Sequence, residues 1–361
     1  MENQAVTAAV QTHPFEFRGN AREYFGIWIV NLLLSILTLG IYTAWAKVRR
    51  LRYFYGNTFL DGHNFEYHAK PIQILIGRII VIGFLALVNV LVNFVHPAFA
   101  LLFVPYLMAL PWLLNKAVGF NARMTSYRNV RLSFSGTYWA AFGIFVAMPF
   151  AVIFTAGILG PLASQLSSNY LGRNLKYGTA RFDTNAPLGA LYGNWGMTLL
   201  LTLLAAAAFG GAGYLIGGVI SGFNTLAYTG TDTDISEMLA GATIVSAAVG
   251  FYLALILSFL FYAAGVRNIA FGATTLEGGH RFSSTLGRLR FTFIMLTNFI
   301  VTILTLSLMR PWAVVRSWRY LADNTGLLAA GPLDGFVDQA MPEGGVAAAE
   351  YLDIEGIDFG L

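Results

Sequence analysis

Charge is scarce in this chain and cysteine is absent. Charged residues fill 11% of the 361 positions, against roughly 25% in domains whose surfaces meet water. Most of the surface must therefore face something other than water. The absence of cysteine excludes disulfides, thiolate metal sites and a cysteine nucleophile. Asp and Glu are missing from every long apolar run, which removes the embedded acid that intramembrane proteases and proton-coupled pumps use. His13, His63, His68, His96 and His280 show no H-E-x-x-H spacing, and no G-x-S-x-G elbow or phosphate-binding glycine loop occurs. Residues 1–13 lack a basic segment, so a cleaved signal peptide is not expected. These absences argue against an embedded enzyme, and no cofactor or metal is expected.

What is abundant is apolar. Hydrophobic residues make up 57% of the chain and mean hydropathy is +0.63. Long apolar runs occupy 24–46, 71–95, 98–112, 138–166, 195–222, 240–266 and 291–308. A helix needs about 20 such residues to cross a hydrocarbon core. A transmembrane β-barrel needs ten-residue alternating segments, which unbroken apolar runs do not supply. The expectation is an all-α polytopic membrane protein with about seven hydrophobic segments, internal repeats, and small turn or hairpin elements on the cytoplasmic face. The net charge of +4 reflects basic cytoplasmic loops and gives no reason to expect nucleic-acid binding.

An internal repeat organises the chain. Residues 37–58 recur at 304–325: Leu37, Thr38, Leu39, Trp45, Ala46, Val48, Arg49, Arg52, Tyr53, Asn57 and Thr58 all return at an offset of 267. Phe15, Asn31 and Ile36 match Phe282, Asn298 and Ile303 at the same offset. Segment four carries a fainter echo, Arg173, Gly178 and Thr179 reproducing the spacing of Arg52, Asn57 and Thr58. Such repeats constrain architecture first.

Basic residues sort by loop. The turn at 93–97 and the loop at 223–239 have no Lys or Arg, so both face outward by the positive-inside rule. Segments two and three then form one transmembrane hairpin, and five and six another. Segment four has basic flanks on both sides, which favours a re-entrant or kinked element over a crossing. The competing plan pairs segments one to three with four to six as inverted repeats. The favoured division is an N-terminal tail (1–14), a first repeat element plus hairpin (15–118), a divergent second (119–266), a third repeat element (267–325) and an acidic mobile tail (326–361). Short pieces at 57–67, 130–139 and 274–282 read as turns or small hairpins around signals such as Asp61–Gly62.

F-x-F-R-G-N at 15–20, the helix around Asn31, LTLGIYTAWA at 37–46, and N-T-x-x-D-G-x-x-F-x-Y at 57–67 resemble the YjgN-like family of bacterial inner-membrane proteins, a domain family of unknown function. The resemblance extends over most of the chain and implies a multi-pass protein of the bacterial inner membrane. It supplies no activity, substrate or catalytic residue. Leu308 to Pro311 replaces the Gly40 turn in the second copy, a departure from strict repetition.

Two groups of candidate site residues follow. Asn31 and Asn298 sit at matching positions inside apolar helices, where they either line a cavity or hydrogen-bond between helices. Trp45, Arg49, Arg52 and Tyr53, with Trp312, Arg316, Arg319 and Tyr320, form aromatic–basic clusters suited to the membrane interface or to anionic lipid headgroups. Arg78 reads as a snorkelling anchor. Gly213, Gly217, Gly218 and Gly222 read as a close-packing face. The functional expectation is non-enzymatic transport or binding of a neutral or lipidic molecule. The alternative is an envelope structural protein that binds protein partners through its cytoplasmic face.

Overall fold

The computed structural model describes residues 11–227 and 233–341. In chain order the elements are β1 (Gln11–Phe17), α1 (Ala21–Leu37), α2 (Thr43–Gly56), β2 (Thr58–Leu60), β3 (His63–Tyr67), α3 (Pro71–Val90), α4 (Phe103–Arg123), β4 (Thr125–Tyr127), β5 (Val130–Phe134), α5 (Tyr138–Phe142), α6 (Met148–Phe154), α7 (Gly160–Arg173), β6 (Leu175–Tyr177), β7 (Ala180–Thr184), α8 (Leu188–Ala227), α9 (Thr233–Gly272), β8 (Thr274–Leu276), β9 (His280–Ser284), α10 (Arg288–Leu304), α11 (Arg310–Asp323), β10 (Thr325–Ala329) and α12 (Leu333–Ala340).

The strands close into one antiparallel barrel, ordered β1-β10-β9-β8-β7-β6-β5-β4-β3-β2. This overturns the all-α, seven-segment expectation. The cause of the misreading is strand length. Strands β2, β4, β6 and β8 have three residues each, too few to show an alternation, and their partners across the helical excursions lie far away in sequence. The barrel is also not a transmembrane one, since spanning strands need roughly 9–11 residues.

Five helical hairpins interrupt the barrel: α1–α2, α3–α4, α5–α7, α8–α9 and α10–α11, each lying between two strands that pair with each other. All five therefore leave from and return to the same rim. The opposite rim carries the tight turns, at Asp61–Gly62, Arg128–Asn129, Gly178 and Gly278–Gly279, all with positive φ. Among the described residues four helical stretches are long and apolar enough to cross a membrane: Pro71–Val95, Pro97–Arg123, Leu188–Val219 and Ile244–Gly272. Segments one, four and seven are instead two-helix hairpins.

Those three short hairpins share one tip. Thr38, Thr155 and Thr305 donate to the carbonyls of Leu34, Ala151 and Val301, and accept from the amides of Tyr42, Leu159 and Met309. Two left-handed residues follow each Thr: Leu39–Gly40, Ala156–Gly157 and Leu306–Ser307. Ser307 thus takes the place of Gly40, and the turn survives the change of residue. The same superposition corrects the register of the middle copy. Thr155, Tyr170 and Asn174 match Thr38, Tyr53 and Asn57, an offset of 117, four residues from the echo that Arg173 suggested. At the far end, Asn57, Asn174 and Asn324 each donate Nδ2 to the Tyr carbonyl four residues back, which terminates the returning helix before its strand.

The start of the acidic stretch is folded. β10 closes the barrel, and α12 lies across the turn rim with Leu333, Val337 and Ala340 buried. Residues 342–361, and 228–232 of the loop read as outward, lie outside the described residues. Gly178 has φ +57, and a Cβ there would stand 1.9 Å from the Ala340 carbonyl oxygen. Gly178→Val should therefore free the end of α12 and lower Tm, at a cost of about 2 kcal/mol or more. Limited proteolysis near residue 340 checks this, and unchanged cleavage would refute it.

Candidate binding site

Each strand pair that flanks a helical hairpin points a cross-strand pair inward: Phe15 with Leu60, Phe65 with Tyr127, Leu132 with Tyr177, Phe182 with Leu276, and Phe282 with Leu327; Phe134 with Leu175 and Thr184 with Thr274 add a second pair on two of them. Together they ring a cavity of about 550 Å³. Barrels near this size hold packed side chains or one small ligand, and ligand pockets commonly occupy roughly 300–1,000 Å³. The cavity runs from α12, through Leu333, Phe336 and Val337, to the last turns of α4, α7 and α9, through Val118, Ser168, Leu171, Gly172, Ala270 and Phe271. One end is the turn rim and the other is the rim from which the membrane helices spring.

The wall is apolar because most of its hydroxyls are already engaged. Tyr127 donates to the Leu60 carbonyl and Tyr177 to the Tyr127 carbonyl. Thr184 and Thr274 bond to each other at 2.8 Å. Burial pushes the Tyr127 phenol up to about 12 and raises that of Tyr177 further, so both are neutral donors at physiological pH. The lining contains hydroxyls but no carboxylate, imidazole or ammonium.

α12 closes the turn rim through a small polar latch. Asp334 pairs with Arg128, which lies 4.0 Å from Asp61, and Asp61 in turn pairs with His13 at 3.0 Å. A hydrogen bond from Arg128 holds the Asp334 carboxyl below its usual value. On the other side, the Thr179 amide donates to the Ala340 carbonyl. His280, buried against Phe336 with ring centroids 4.4 Å apart, accepts from the Ala330 amide at Nδ1.

Asn31 and Asn298 lie away from this lumen, inside the first and fifth hairpins. Asn298 donates to the Ala313 carbonyl and Ser317 Oγ and accepts from Arg316. Asn31 has a weaker version, accepting from Arg49 at 3.4 Å. Both are buried and tie the two helices of their own hairpin together. The aromatic–basic clusters are likewise built into the hairpins. Trp45 stacks on Tyr42, which accepts from Arg49, while Arg316 lies 5.1 Å over the Trp312 ring. Arg52 donates to the carbonyls of Tyr67 and Ala69, and Arg319 to that of Gly19. Tyr53 and Tyr320 bond the backbone at Asn20 and Gly287. These residues fasten the helices to the barrel rim. Arg78 donates to Thr43 Oγ1 at 2.6 Å, so it bridges hairpins rather than reaching for the interface alone. Gly213 packs against Ser246, whereas a Cβ added at Gly218 or Gly222 would meet nothing within 4 Å.

Sequence reasoning missed the lumen residues. A signal existed in the recurring short motifs FEF, FEY, LSF and FDT, at 15–17, 65–67, 132–134 and 182–184, each with an inward aromatic or aliphatic residue beside a turn or helix start.

A barrel on whose single rim hang both membrane-spanning and short apolar hairpins defines a class of integral membrane protein. The match to known proteins agrees. The family described as "Bacterial protein of unknown function (DUF898)" matches residues 12–354, and the chain belongs to that family. "Inner membrane protein YjgN" of Escherichia coli O157:H7 is 25% identical over 364 residues, covering 90% of each chain. The protein of that name from Salmonella typhimurium is 24% identical over 367 residues, covering 90% of this chain and 91% of its own. No solved structure matches. The protein is a multi-pass component of the bacterial inner membrane.

Two outcomes follow from these contacts. Asn298→Leu should cost about 1–3 kcal/mol and Asn31→Leu distinctly less, as thermal unfolding in detergent would show; equal losses would contradict the hydrogen-bond inventory. Burial holds the His280 imidazole below its ordinary 6.5. It is neutral when folded, so its contribution is complete above that value and is lost as pH falls through the lowered one. Protection factors of the amides at 333–340, corrected for the intrinsic pH dependence of exchange, should therefore fall below pH 6.5, and His280→Gln should flatten that dependence.

Proposed function

We propose that the protein binds one apolar chain of a lipidic molecule in the barrel lumen, drawn from the adjoining bilayer, and that it does so without catalysis. The observation carrying this reading is the apolar cavity of about 550 Å³ that ends at the rim bearing the membrane helices. An apolar tail can reach it along that rim without crossing water. α12 supplies the closed end, so the chamber is a pocket with one membrane-facing side rather than a channel through the barrel.

The distribution of charge supports placing the barrel on the cytoplasmic side. No Lys or Arg lies between Arg78 and Lys116, or between Arg181 and Arg267, the stretches that form the two long hairpins. Apart from Lys47, Arg49, Arg310 and Arg316 on the short returning helices, cations collect at the barrel and the helix bases, and excess Lys and Arg mark the cytoplasmic face. The short hairpins present Leu39, Phe154 and Leu306 at 94%, 86% and 89% exposure, which suits tips dipped into lipid. A lining of satisfied hydroxyls with no acid–base pair favours binding over chemistry.

Filling the lumen tests the reading. In detergent-purified protein, native mass spectrometry should find one co-purified lipid or fatty chain per wild-type chain. Leu132→Trp or Val337→Trp should reduce that occupancy about tenfold while leaving the protein folded. Equal occupancy in wild type and the filled variants would sink the proposal.

A further inference from the structure

Each returning helix hands over to its strand at the same structural position, so the lumen can be read ring by ring. Strands β2, β4, β6, β8 and β10 begin at Thr58, Thr125, Leu175, Thr274 and Thr325. Seven residues before those starts stand Leu51, Val118, Ser168, Arg267 and Trp318. These occupy equivalent positions on the five returning helices; Val118 and Ser168 line the cavity directly, and Arg267 adjoins it through the lining residue Phe271. Four of the five are neutral. Arg267 is the charged one.

Its surroundings give that charge little to do within the protein. The guanidinium lies 4.1 Å over the ring of Phe271, one turn further along α9, and Phe271 is itself a lining residue. Nη2 donates to Thr325 Oγ1 at 2.7 Å. Nε is buried with no hydrogen-bond partner. Among the described residues Arg267 takes part in no ion pair. A guanidinium has five donors, and holding one behind the aromatic wall of an apolar chamber is costly unless an anion meets it.

We propose that Arg267 receives the anionic oxyacid head, carboxylate or phosphate, of a single-chain amphiphile whose tail occupies the lumen. This rests on the lumen-binding reading and names its ligand class. The placement has a physical merit. Arg267 belongs to a membrane-spanning helix close to its barrel end, so the head remains near the level of lipid headgroups while the tail swings out of the bilayer into the barrel. No charge need enter hydrocarbon. Phe271 shields the guanidinium from the tail and strengthens the charge-assisted hydrogen bonds by excluding water.

The test uses the full-length protein in a neutral detergent with cis-parinaric acid and its methyl ester as fluorescent probes. Wild type should bind the acid at least about tenfold more tightly than the ester. Arg267→Gln should erase that preference while ester binding persists, which also shows that the variant is folded; Arg267→Lys should retain part of it. A 1-acyl lysophosphatidic acid should displace the bound acid, and inorganic phosphate should not. Equal binding of acid and ester by wild type, an intact preference in Arg267→Gln, or displacement by inorganic phosphate alone would overturn the assignment while leaving the lumen reading standing. Binding of neither probe would remove both.

Discussion

Closure of the barrel by five inward cross-strand pairs is the constraint on which the rest depends. Phe15–Leu60, Phe65–Tyr127, Leu132–Tyr177, Phe182–Leu276 and Phe282–Leu327 each join the two strands on either side of a helical excursion. Antiparallel partners of that kind must have their helix-bearing ends together. Every excursion is therefore obliged to return to the rim it left, and each can cross a bilayer only an even number of times. Short strands could not enforce this alone, since isolated pairs of three to five residues are marginal. Closing them into a ring leaves no edge and lets each pair support the next.

Helix length then decides what each excursion does. α1, with 17 residues, extends about 25 Å, and α2, with 14 residues, about 21 Å. Neither clears a hydrocarbon core of about 30 Å together with the headgroup zone. Their tips are sealed instead by a Thr side chain that satisfies both an arriving carbonyl and a departing amide. Backbone polar groups at membrane depth must be met from within, and this residue does so with one hydroxyl. α8 and α9, at 40 residues each, run about 60 Å and exceed the core twofold. The long hairpins have no Lys or Arg between Arg78 and Lys116 or between Arg181 and Arg267, whereas α2 carries Lys47, Arg49, Arg50 and Arg52, so length and composition together separate crossing from returning hairpins.

Much of this organisation is legible in the sequence, and its unreadable part has a definite cause. The 267-residue offset, the paired Asn31 and Asn298, and the basic flanks of segment four all reflect real structure, because side chains at helix–helix and helix–rim contacts are chemically distinctive. Tyr53 and Tyr320, for instance, bond the same backbone position in their two hairpins. The middle copy was misplaced by four residues, since its Arg at 173 drew the register away from the Tyr170 and Asn174 that hold the equivalent contacts. The barrel itself was hidden. A strand such as Leu175–Tyr177 offers two inward residues around a single outward one, and a periodicity cannot be seen in three positions. Its partner on the far side of a helical hairpin is identified only by closure, which is a property of the whole chain.

The cavity, in turn, is a choice of residues and not a consequence of the barrel. Around the membrane-side ring the first and last hairpins contribute Leu51 and Trp318, and one turn nearer the strand Phe54 fills the space beside Trp318, their rings 4.9 Å apart. Phe17, Tyr24 and Val315 complete that packed half. The middle hairpins place Val118 and Ser168 at the level of Leu51, and Leu171 and Ala270 at that of Phe54, with Gly172 beside them. Gly172 is held to that size, since a Cβ would stand 1.9 Å from Thr184 Oγ1. One half of a near-fivefold structure is therefore filled like a core and the other is left open. Vacant apolar volume forfeits packing energy, so a chain that needed only a stable rim would have filled both halves alike. The unequal filling is what separates the chamber from the scaffold that surrounds it.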